Sequence, residues 1–299
     1  MNIIVWLILC AIWGTTWIFI KFGLEGGIPP FTFASLRFIV AILGLVAIVG
    51  FGRIPLPKGS AQWRMIAITG FLQFSVNYSL VFWSEQYITS GLAAVLQSMI
   101  SVFGLALSWF YLPDERVDGL KVMAVIIGII GVAIVFYEQL VLENPMAFLG
   151  SVGIVVGAYA AAHASILVKA RASGMHPASL VLGQMVCGLI PMLILAAREG
   201  NPLELQLSGT AILSVFYLAV PGTIGAFWLY YWLLGRIEST KAMMISLVTP
   251  IIAVVVGVAF GNESMPATLM LGGALILIGI GLILVRRGAA LNPALDKTL

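Results

Sequence analysis

Long apolar runs, separated by short polar breaks, occupy most of this 299-residue chain. A bilayer core about 30 Å thick needs roughly 20 apolar residues in an α-helix. Ten runs of about that length occur, at about 3–22, 31–51, 64–83, 89–111, 119–137, 147–168, 178–197, 210–233, 240–260 and 267–285. Each run is continuously apolar rather than alternating, which excludes a membrane β-barrel and favours helices. The pattern predicts an all-α integral membrane protein with ten transmembrane helices.

Composition agrees with a protein whose main partner is the lipid bilayer. The chain is 61% hydrophobic and 9% charged, whereas a soluble domain carries about a quarter charged residues. The first run has no Lys or Arg before Lys21 and no small-residue cleavage site after it, so we interpret it as a transmembrane helix rather than a signal peptide. Cys10 and Cys187 both fall inside predicted spans, so no disulfide framework is expected.

The basic residues predict the orientation of the chain. One set of alternate loops and ends receives Arg53, Lys58, Arg64, Arg116, Lys121, Lys169, Arg171, Arg236, Lys241, Arg286, Arg287 and Lys297, and the other set receives only Lys21 and Arg198. Because positive loops stay cytoplasmic, we expect a multi-pass protein of the cell inner (plasma) membrane with both termini in the cytoplasm. The net charge of +3 is scattered, so no nucleic acid partner is indicated.

The chain repeats itself. A shift of 148 residues places Lys21 on Lys169, Gly26 on Gly174, Pro29 on Pro177, Glu115 on Glu263 and Gly131 on Gly279. We therefore predict a first five-helix repeat over 1–137, a second over 146–287 and a cytoplasmic tail over 288–299. Because five is odd, the second repeat enters the membrane from the opposite side. Inverted repeats of this kind build alternating-access transporters, with the substrate site near the midplane between the halves.

Four segments carry a resemblance to a known family. They are IWGTTWIFIKFG, FASLRF, NYSLVFWSEQYITSGLAAVLQSM and PGTIGAFWLYYWLLGRIESTKAMMISLVTPIIAVVVGVAFGNES. With the repeat, they make the chain resemble the EamA family of the drug/metabolite transporter superfamily over almost its whole length. The resemblance implies secondary transport, usually efflux, of amino acids or other small metabolites. The family often has proline in the fourth helix as well as the ninth. Here Ser101 stands opposite Pro250, so we expect the two halves to bend differently.

His163 lies near the middle of the sixth predicted helix, one turn after Tyr159. An ionisable group inside a membrane is by default a functional hypothesis. Small residues recur every four positions at Gly153, Gly157, Ala161 and Ser165, which favours close helix packing on that face. His163 points away from it, about 200° around the helix from Ala161. One interpretation is a cavity-facing pair that binds substrate or titrates, with a proton as a candidate coupling ion; the other is a neutral histidine bonded to a neighbouring helix.

Aromatic and amide side chains supply further substrate-binding candidates. Trp13 is too deep in the first helix for the interfacial aromatic belt, so it either forms an aromatic wall of the cavity or packs between helices. Gln73 and Asn77 share a face of the third helix, and Gln97 lies on the fourth. Buried amides need partners. They bind substrate, or they bond one another across helices.

Prolines in the eighth and ninth helices predict bends. Pro221 and Pro250 each remove a helical hydrogen bond and free a carbonyl one turn earlier, at Tyr217 and Ser246. We expect both prolines to act as hinges near the translocation path, and Tyr217 and Ser246 to line it; the alternative is a passive kink whose gap Thr249 or Ser246 fills. Together with the family resemblance, the prolines suggest that the third and fourth helices rock with the eighth and ninth against the rest.

The remaining charged groups have ordinary explanations beside functional ones. Arg37 can bind a substrate carboxylate with its bidentate fork, but snorkelling to the interface is the favoured interpretation. Lys21 and Lys169 lie at helix ends, where snorkelling is also expected. Glu115 and Glu263 open the fifth and tenth helices, where a carboxylate suits a helix N-terminus.

No cofactor or metal site is expected, because the chain lacks a GxxxxGK[ST] motif and its histidines and cysteines lie far apart. The function that fits best is a carrier that exports a small-molecule substrate, such as an amino acid, without covalent chemistry. An importer on the same fold remains open. An integral-membrane enzyme acting on a lipid is disfavoured, because the acidic residues of this chain are dispersed among its loops. A non-transporting sensor or assembly subunit is a further alternative, and such a protein should lack a central cavity.

Overall fold

The computed structural model describes residues 2–111, 119–141, 144–172, 174–200, 207–234, 236, 245–263 and 266–289. They form ten helical rods: α1 (Asn2–Glu25), α2 (Pro30–Phe51), α3 (Ser60–Ser84), α4 (Ser90–Tyr111), α5 (Gly119–Val141), α6 (Pro145–Arg171), α7 (Pro177–Ala196), α8 (Gly209–Leu233), α9 (Ile245–Phe260) and α10 (Ala267–Ala289). None of the described residues forms a β-strand. Seven of these helices, α1–α4 and α6–α8, are long and apolar enough to cross a membrane. The all-α membrane fold is thus confirmed.

Short polar residues and prolines start several of these helices. Thr89 accepts a hydrogen bond from the backbone N–H of Leu92 at 3.2 Å, and Ser208 accepts one from the N–H of Ala211 at 3.1 Å. Such caps satisfy N–H groups that have no partner within the helix. Proline opens α2, α6 and α7, where its missing N–H costs nothing.

The helices pair across the repeat. The main neighbours are α1 with α8 and α9, α2 with α7 and α8, α3 with α6 and α7, α4 with α6, and α5 with α10. The repeat makes α1 equivalent to α6, α2 to α7, α3 to α8, α4 to α9 and α5 to α10. Under this equivalence, the pair α1–α9 corresponds to α6–α4, α1–α8 to α6–α3, and α2–α8 to α7–α3. All of these pairs are present. This is the pattern expected of two five-helix units related by a pseudo-twofold axis.

Three helices are irregular near their middles. The segment Phe71–Asn77 of α3 and the segment Val220–Gly225 of α8 are π-helical. The α-helical conformation of α4 is interrupted between Gln97 and Ile100, although no proline is present there. There the hydroxyl of Ser98 donates to the carbonyl of Val95 at 2.6 Å. Irregular backbone in a membrane is tolerated where it lines a cavity or is satisfied by neighbours, and π-segments often mark functional sites.

Four acidic residues, Glu25, Glu85, Glu199 and Glu263, define one end of the bundle, which we call the acidic end. Two of them, Glu199 and Glu263, tie helices together. Glu199 lies three residues beyond the end of α7, and both of its carboxylate oxygens accept hydrogen bonds from the N-terminal turn of α2. One accepts from the N–H of Phe31 at 2.8 Å, the other from the N–H of Thr32 at 2.7 Å. Helix N-termini carry partial positive charge, so the contact stabilises both elements.

Glu263 makes a similar contact, but with a helix other than the one expected. Its carboxylate accepts from the N–H of Ser90 at 2.7 Å, the Ser90 hydroxyl at 2.9 Å and the N–H of Gly91 at 3.2 Å. It therefore caps α4 rather than α10, the helix that it precedes in sequence. Glu115, its repeat partner, lies outside the described residues.

Candidate functional site

A cavity of about 170 Å³ lies between the two halves. Residues of α1, α2, α3 and α4 from the first half, and of α6, α8 and α9 from the second, form its wall. The lining residues include Trp13, Trp17, Ile20, Arg37, Gln73, Asn77, Tyr78, Val81, Gln97, Ser101, Ala161, Ser165, Phe227, Tyr230, Ser246 and Thr249. Five of the eight substrate-binding candidates from the sequence thus line one cavity: Trp13, Gln73, Asn77, Gln97 and Ser246.

Aromatic rings form one side of this cavity. The ring of Trp13 lies 5.7 Å edge-on from the ring of Phe227 and 5.2 Å from the ring of Tyr230. Trp17, one turn further along α1, also lines the cavity. The two interpretations of Trp13, cavity wall and interhelical packing, therefore both describe it.

An amide pair bridges α3 and α4 on another side. The Nε2–H of Gln97 donates to Oδ1 of Asn77 at 2.8 Å. Among the described residues, the other amide atom of Gln97, Oε1, has no hydrogen-bond partner although it is buried. Gln73 lies in the π-helical segment of α3 and reaches the same cavity. The pair thus joins helices and still leaves an acceptor for a ligand.

Hydroxyl groups join the two repeat-related helices α4 and α9. The Oγ atoms of Ser101 and Ser246 lie 2.6 Å apart, at hydrogen-bond distance. Ser101 occupies the position in α4 where α9 has Pro250 in the repeat alignment. Pro250 itself is buried within α9, next to the cavity residue Thr249.

Arg37 lies on the cavity wall and not at the interface, so the snorkelling interpretation is wrong. Its side chain is only 1% exposed. The Nε–H donates to Oγ1 of Thr223 at 2.9 Å, and the guanidinium carbon lies 4.6 Å from the centre of the Tyr78 ring. Nη1 is buried and has no hydrogen-bond partner among the described residues. A partner in α8 and an aromatic face in α3 hold the group inside the bundle, where snorkelling cannot reach water.

Tyr159 and His163 lie outside the residues that line the cavity. The Tyr111 hydroxyl is 2.8 Å from Nε2 of His163, while Tyr159 is 45% exposed on the outer surface of the bundle and meets the ring of Phe103 edge-on. The small-residue face of α6 is the one turned inward, since Ala161 and Ser165 line the cavity. The opposite face must then point away from the cavity. Of the two interpretations of His163, the position agrees with the second, in which the histidine bonds to a neighbouring helix, here α4 through Tyr111.

Tyr217 joins α1 to α8 and is not among the lining residues. Its hydroxyl lies 2.6 Å from Oγ1 of Thr15, and its ring stacks on Phe19 with centroids 3.9 Å apart. The backbone opening at Pro221 takes the form of the π-segment. There the Thr223 hydroxyl donates to the carbonyl of Leu218 at 2.7 Å, one residue beyond the carbonyl expected to be free.

Tyr78, Thr223 and Glu85, in or next to the site, are among the residues that had no assigned role from the sequence. Tyr78 and Thr223 position Arg37, and the buried Glu85 lies one turn beyond the cavity residue Val81. The available signal was weak. Tyr78 and Glu85 sit within one of the family-like segments, and Thr223 follows Pro221 by two residues.

Comparison with known proteins identifies the family. The profile of the EamA-like transporter family matches residues 1–137 and, separately, residues 148–285. The chain belongs to the EamA-like transporter family. It is therefore a multi-pass membrane transporter.

Curated relatives of this EamA-like transporter cover nearly its full length. It is 28% identical to the Escherichia coli K12 protein named "Uncharacterized inner membrane transporter YedA", over 96% of this chain and 90% of that protein. It is 26% identical to the E. coli K12 "Probable amino-acid metabolite efflux pump", over 92% and 91%. It is 23% identical to the Bacillus subtilis "Uncharacterized transporter YoaV", over 90% and 91%.

A solved crystal structure shares the fold of this EamA-like transporter. The two superpose with a TM-score of 0.67 at 16% sequence identity, over 95% of this chain and 98% of the other. At this sequence identity, the match supports a shared fold only.

Proposed function

We propose that this EamA-like transporter is a secondary carrier that exports small carboxylate-bearing metabolites, such as amino acids, by alternating access. It would work in the inner (plasma) membrane with both termini in the cytoplasm. The observation that carries the substrate class is Arg37, a buried guanidinium on the cavity wall with an unpartnered nitrogen.

The electrostatics of the cavity favour an anionic group in the substrate. Among the described residues that line the cavity, Arg37 is the one that carries a full charge, and none is Asp or Glu. A buried charge is costly unless it is paired and hydrogen-bonded. A carboxylate would accept from the free Nη1 and provide that counter-charge.

The rest of the cavity suits a zwitterion with an apolar side chain. The unpartnered Oε1 of Gln97 can accept from a substrate ammonium group, and the faces of Trp13 and Tyr230 can attract the same cation. The cavity volume of about 170 Å³ is below the roughly 300–1,000 Å³ of sites that hold drug-sized ligands. A small metabolite is the better match.

Alternating access and export have separate support. A ligand-sized cavity between pseudo-symmetric halves, with irregular backbone in α3, α4 and α8 around it, is the usual architecture of such carriers. Export draws on the likeness to the E. coli "Probable amino-acid metabolite efflux pump". Import on the same fold is the competing direction.

The first experiment compares the culture media of cells that overexpress different variants, by untargeted mass spectrometry. Ser246→Trp fills the cavity. The matched control is Val255→Trp, which introduces the same ring in the same helix at a residue that is 61% exposed. We expect a metabolite enriched outside with the native chain and Val255→Trp but not with Ser246→Trp. If all three proteins are present in the membrane and the three culture media contain the same metabolites at the same levels, the result would count against export.

A second experiment tests the carboxylate. The purified protein in liposomes is assayed for exchange of radiolabelled amino acids, with unlabelled amino acids or their decarboxylated amines as competitors. We expect the acids to compete and the amines to fail, and we expect Arg37→Gln to lower exchange more than Arg37→Lys. Equal competition by the amines would overturn the role of Arg37.

A further inference from the structure

A buried carboxyl group lies just beyond the end of α3. Glu85 is 0% exposed, and neither of its carboxyl oxygens has a hydrogen-bond partner among the described residues. The other acids at this end whose carboxylates contact neighbouring helices, Glu199 and Glu263, accept hydrogen bonds from helix N-termini. A carboxylate that is buried without partners is costly, and a proton removes its charge.

Glu85 lies one helical turn beyond the cavity, on the side of the acidic end. Its N–H donates to the carbonyl of Val81 at 3.1 Å, so the helical turn continues and the two side chains lie on one face. Val81 lines the cavity, as does Ile20, the residue before Lys21. The ammonium of Lys21 donates to the Glu85 carbonyl at 3.3 Å. The carboxyl group is thus one turn from the place where a substrate would lie.

We propose that Glu85 is the site at which this transporter binds its coupling proton. The inference rests on the proposed function, because coupling needs a transported solute. The geometry that carries it is a fully buried, unpartnered carboxyl group at the end of the cavity, beside helices that must separate for that end to open.

Charged groups from three neighbouring elements act on Glu85. They are Lys21 of α1, Arg37 of α2 and Glu263 between α9 and α10. Burial raises the pKa of the Glu85 carboxyl well above its ordinary value; Lys21 opposes the shift, Glu263 reinforces it, and Arg37 opposes it. The proton is therefore retained while the group is buried, and it is released when water and the nearby cations reach the carboxylate.

The proposed cycle moves one proton without other chemistry. When the acidic end opens, a carboxylate oxygen of Glu85 takes a proton from a hydronium ion; an O–H bond forms on Glu85, and one breaks in the hydronium ion, which leaves as water. When the helices close, burial of the neutral carboxyl costs less than burial of the charged carboxylate. When the opposite end opens, water that enters the cavity reaches Glu85 beside Val81, the O–H bond breaks, and the proton passes to that water. The inward proton gradient can drive export only if protons move inward as solute leaves, which requires loading from outside. The acidic end is the end expected to face outside.

The test uses the full chain in liposomes, with a mixture of radiolabelled amino acids as the probe and a trapped pH-sensitive dye. Glu85→Gln keeps the size of the side chain and mimics its protonated form. We expect native protein to accumulate label under an imposed pH gradient and to move protons when amino acid is added. We expect Glu85→Gln to lose both responses, while amino acid exchange at neutral pH without a gradient stays at the native rate.

Controls separate coupling from folding. Glu199→Gln removes charge from a hydrogen-bonded acid at the same end and should keep the gradient response. Glu85→Asp should keep proton movement. If Glu85→Gln retains gradient-driven accumulation and proton movement, or if accumulation follows sodium rather than pH, the proposal is wrong. If native protein exchanges no amino acid at all, the substrate proposal fails instead.

A spectroscopic readout is independent of the substrate. The infrared C=O stretching band of a protonated carboxyl group is distinct from that of a carboxylate. We expect native protein at neutral pH to show such a band and Glu85→Gln to lack it, with Glu199→Gln unchanged. A native spectrum without this band would show an ionised Glu85 and overturn the proposal.

Discussion

The Nε–H of Arg37 donates a 2.9 Å hydrogen bond to the hydroxyl of Thr223, which lies 186 residues later in the other half of the chain. The same hydroxyl, in the π-helical segment that contains Pro221, donates to the carbonyl of Leu218 at 2.7 Å, just before that segment. One threonine therefore satisfies the opened backbone of α8 and fixes the guanidinium of α2. The irregular helix and the charged wall of the cavity form one structural unit.

Replacing Thr223 by valine should destabilise the protein and loosen Arg37. The change leaves the Nε–H of Arg37 and the Leu218 carbonyl buried without this partner, which costs about 1–2 kcal/mol in a membrane protein. We expect a melting temperature in detergent a few degrees below that of the native protein, and a higher KM for the transported amino acid. Thr223→Ser keeps the hydroxyl and should restore both values. Native stability in Thr223→Val would show that the bond contributes little.

A methyl group at Gly157 should disturb the amide pair of the cavity. A Cβ atom there would lie 3.0 Å from Oδ1 of Asn77, the acceptor of the bond from Gln97. We expect Gly157→Ala to raise the KM of amino acid exchange with little loss of stability, because alanine favours a helix over glycine by up to about 1 kcal/mol. Gly50→Ala is the control, since nothing lies within 4 Å of its Cβ position. Equal KM values in both variants would argue against the amide pair as part of the site.

Sequence periodicity predicted the ten rods because the bilayer imposes one length and one polarity on every span. It also indicated an interior position for Trp13, Asn77 and Gln97, since deep polar or aromatic groups need an interior. It failed for Arg37 because the burial of that residue depends on Thr223, a partner distant in sequence. It left two interpretations open for His163, because helical spacing defines the two faces of α6 but not the neighbour that each face meets.

Loss of the Glu199 carboxylate should weaken the contact between α7 and α2. It accepts three hydrogen bonds from the first turn of α2, including one from the Thr32 hydroxyl at 2.8 Å. We expect Glu199→Ala to lower the free energy of unfolding by about 1–3 kcal/mol, measured by thermal or denaturant unfolding in detergent. Glu25→Ala, at an exposed position on the same end, should change it little. A similar loss in both variants would indicate a general charge effect rather than a cap.

Replacing His163 by glutamine should leave the pH dependence of transport unchanged. His163 contacts Tyr111 on the side of α6 that faces away from the cavity, and glutamine can keep a hydrogen bond to that hydroxyl. The rate of amino acid exchange in liposomes, measured across a range of pH, should therefore follow the native profile in His163→Gln and flatten in Glu85→Gln. A flattened profile in His163→Gln with a native profile in Glu85→Gln would move the proton site to α6. The two variants thus decide between the ionisable group that the sequence singles out and the one that the buried end of the cavity contains.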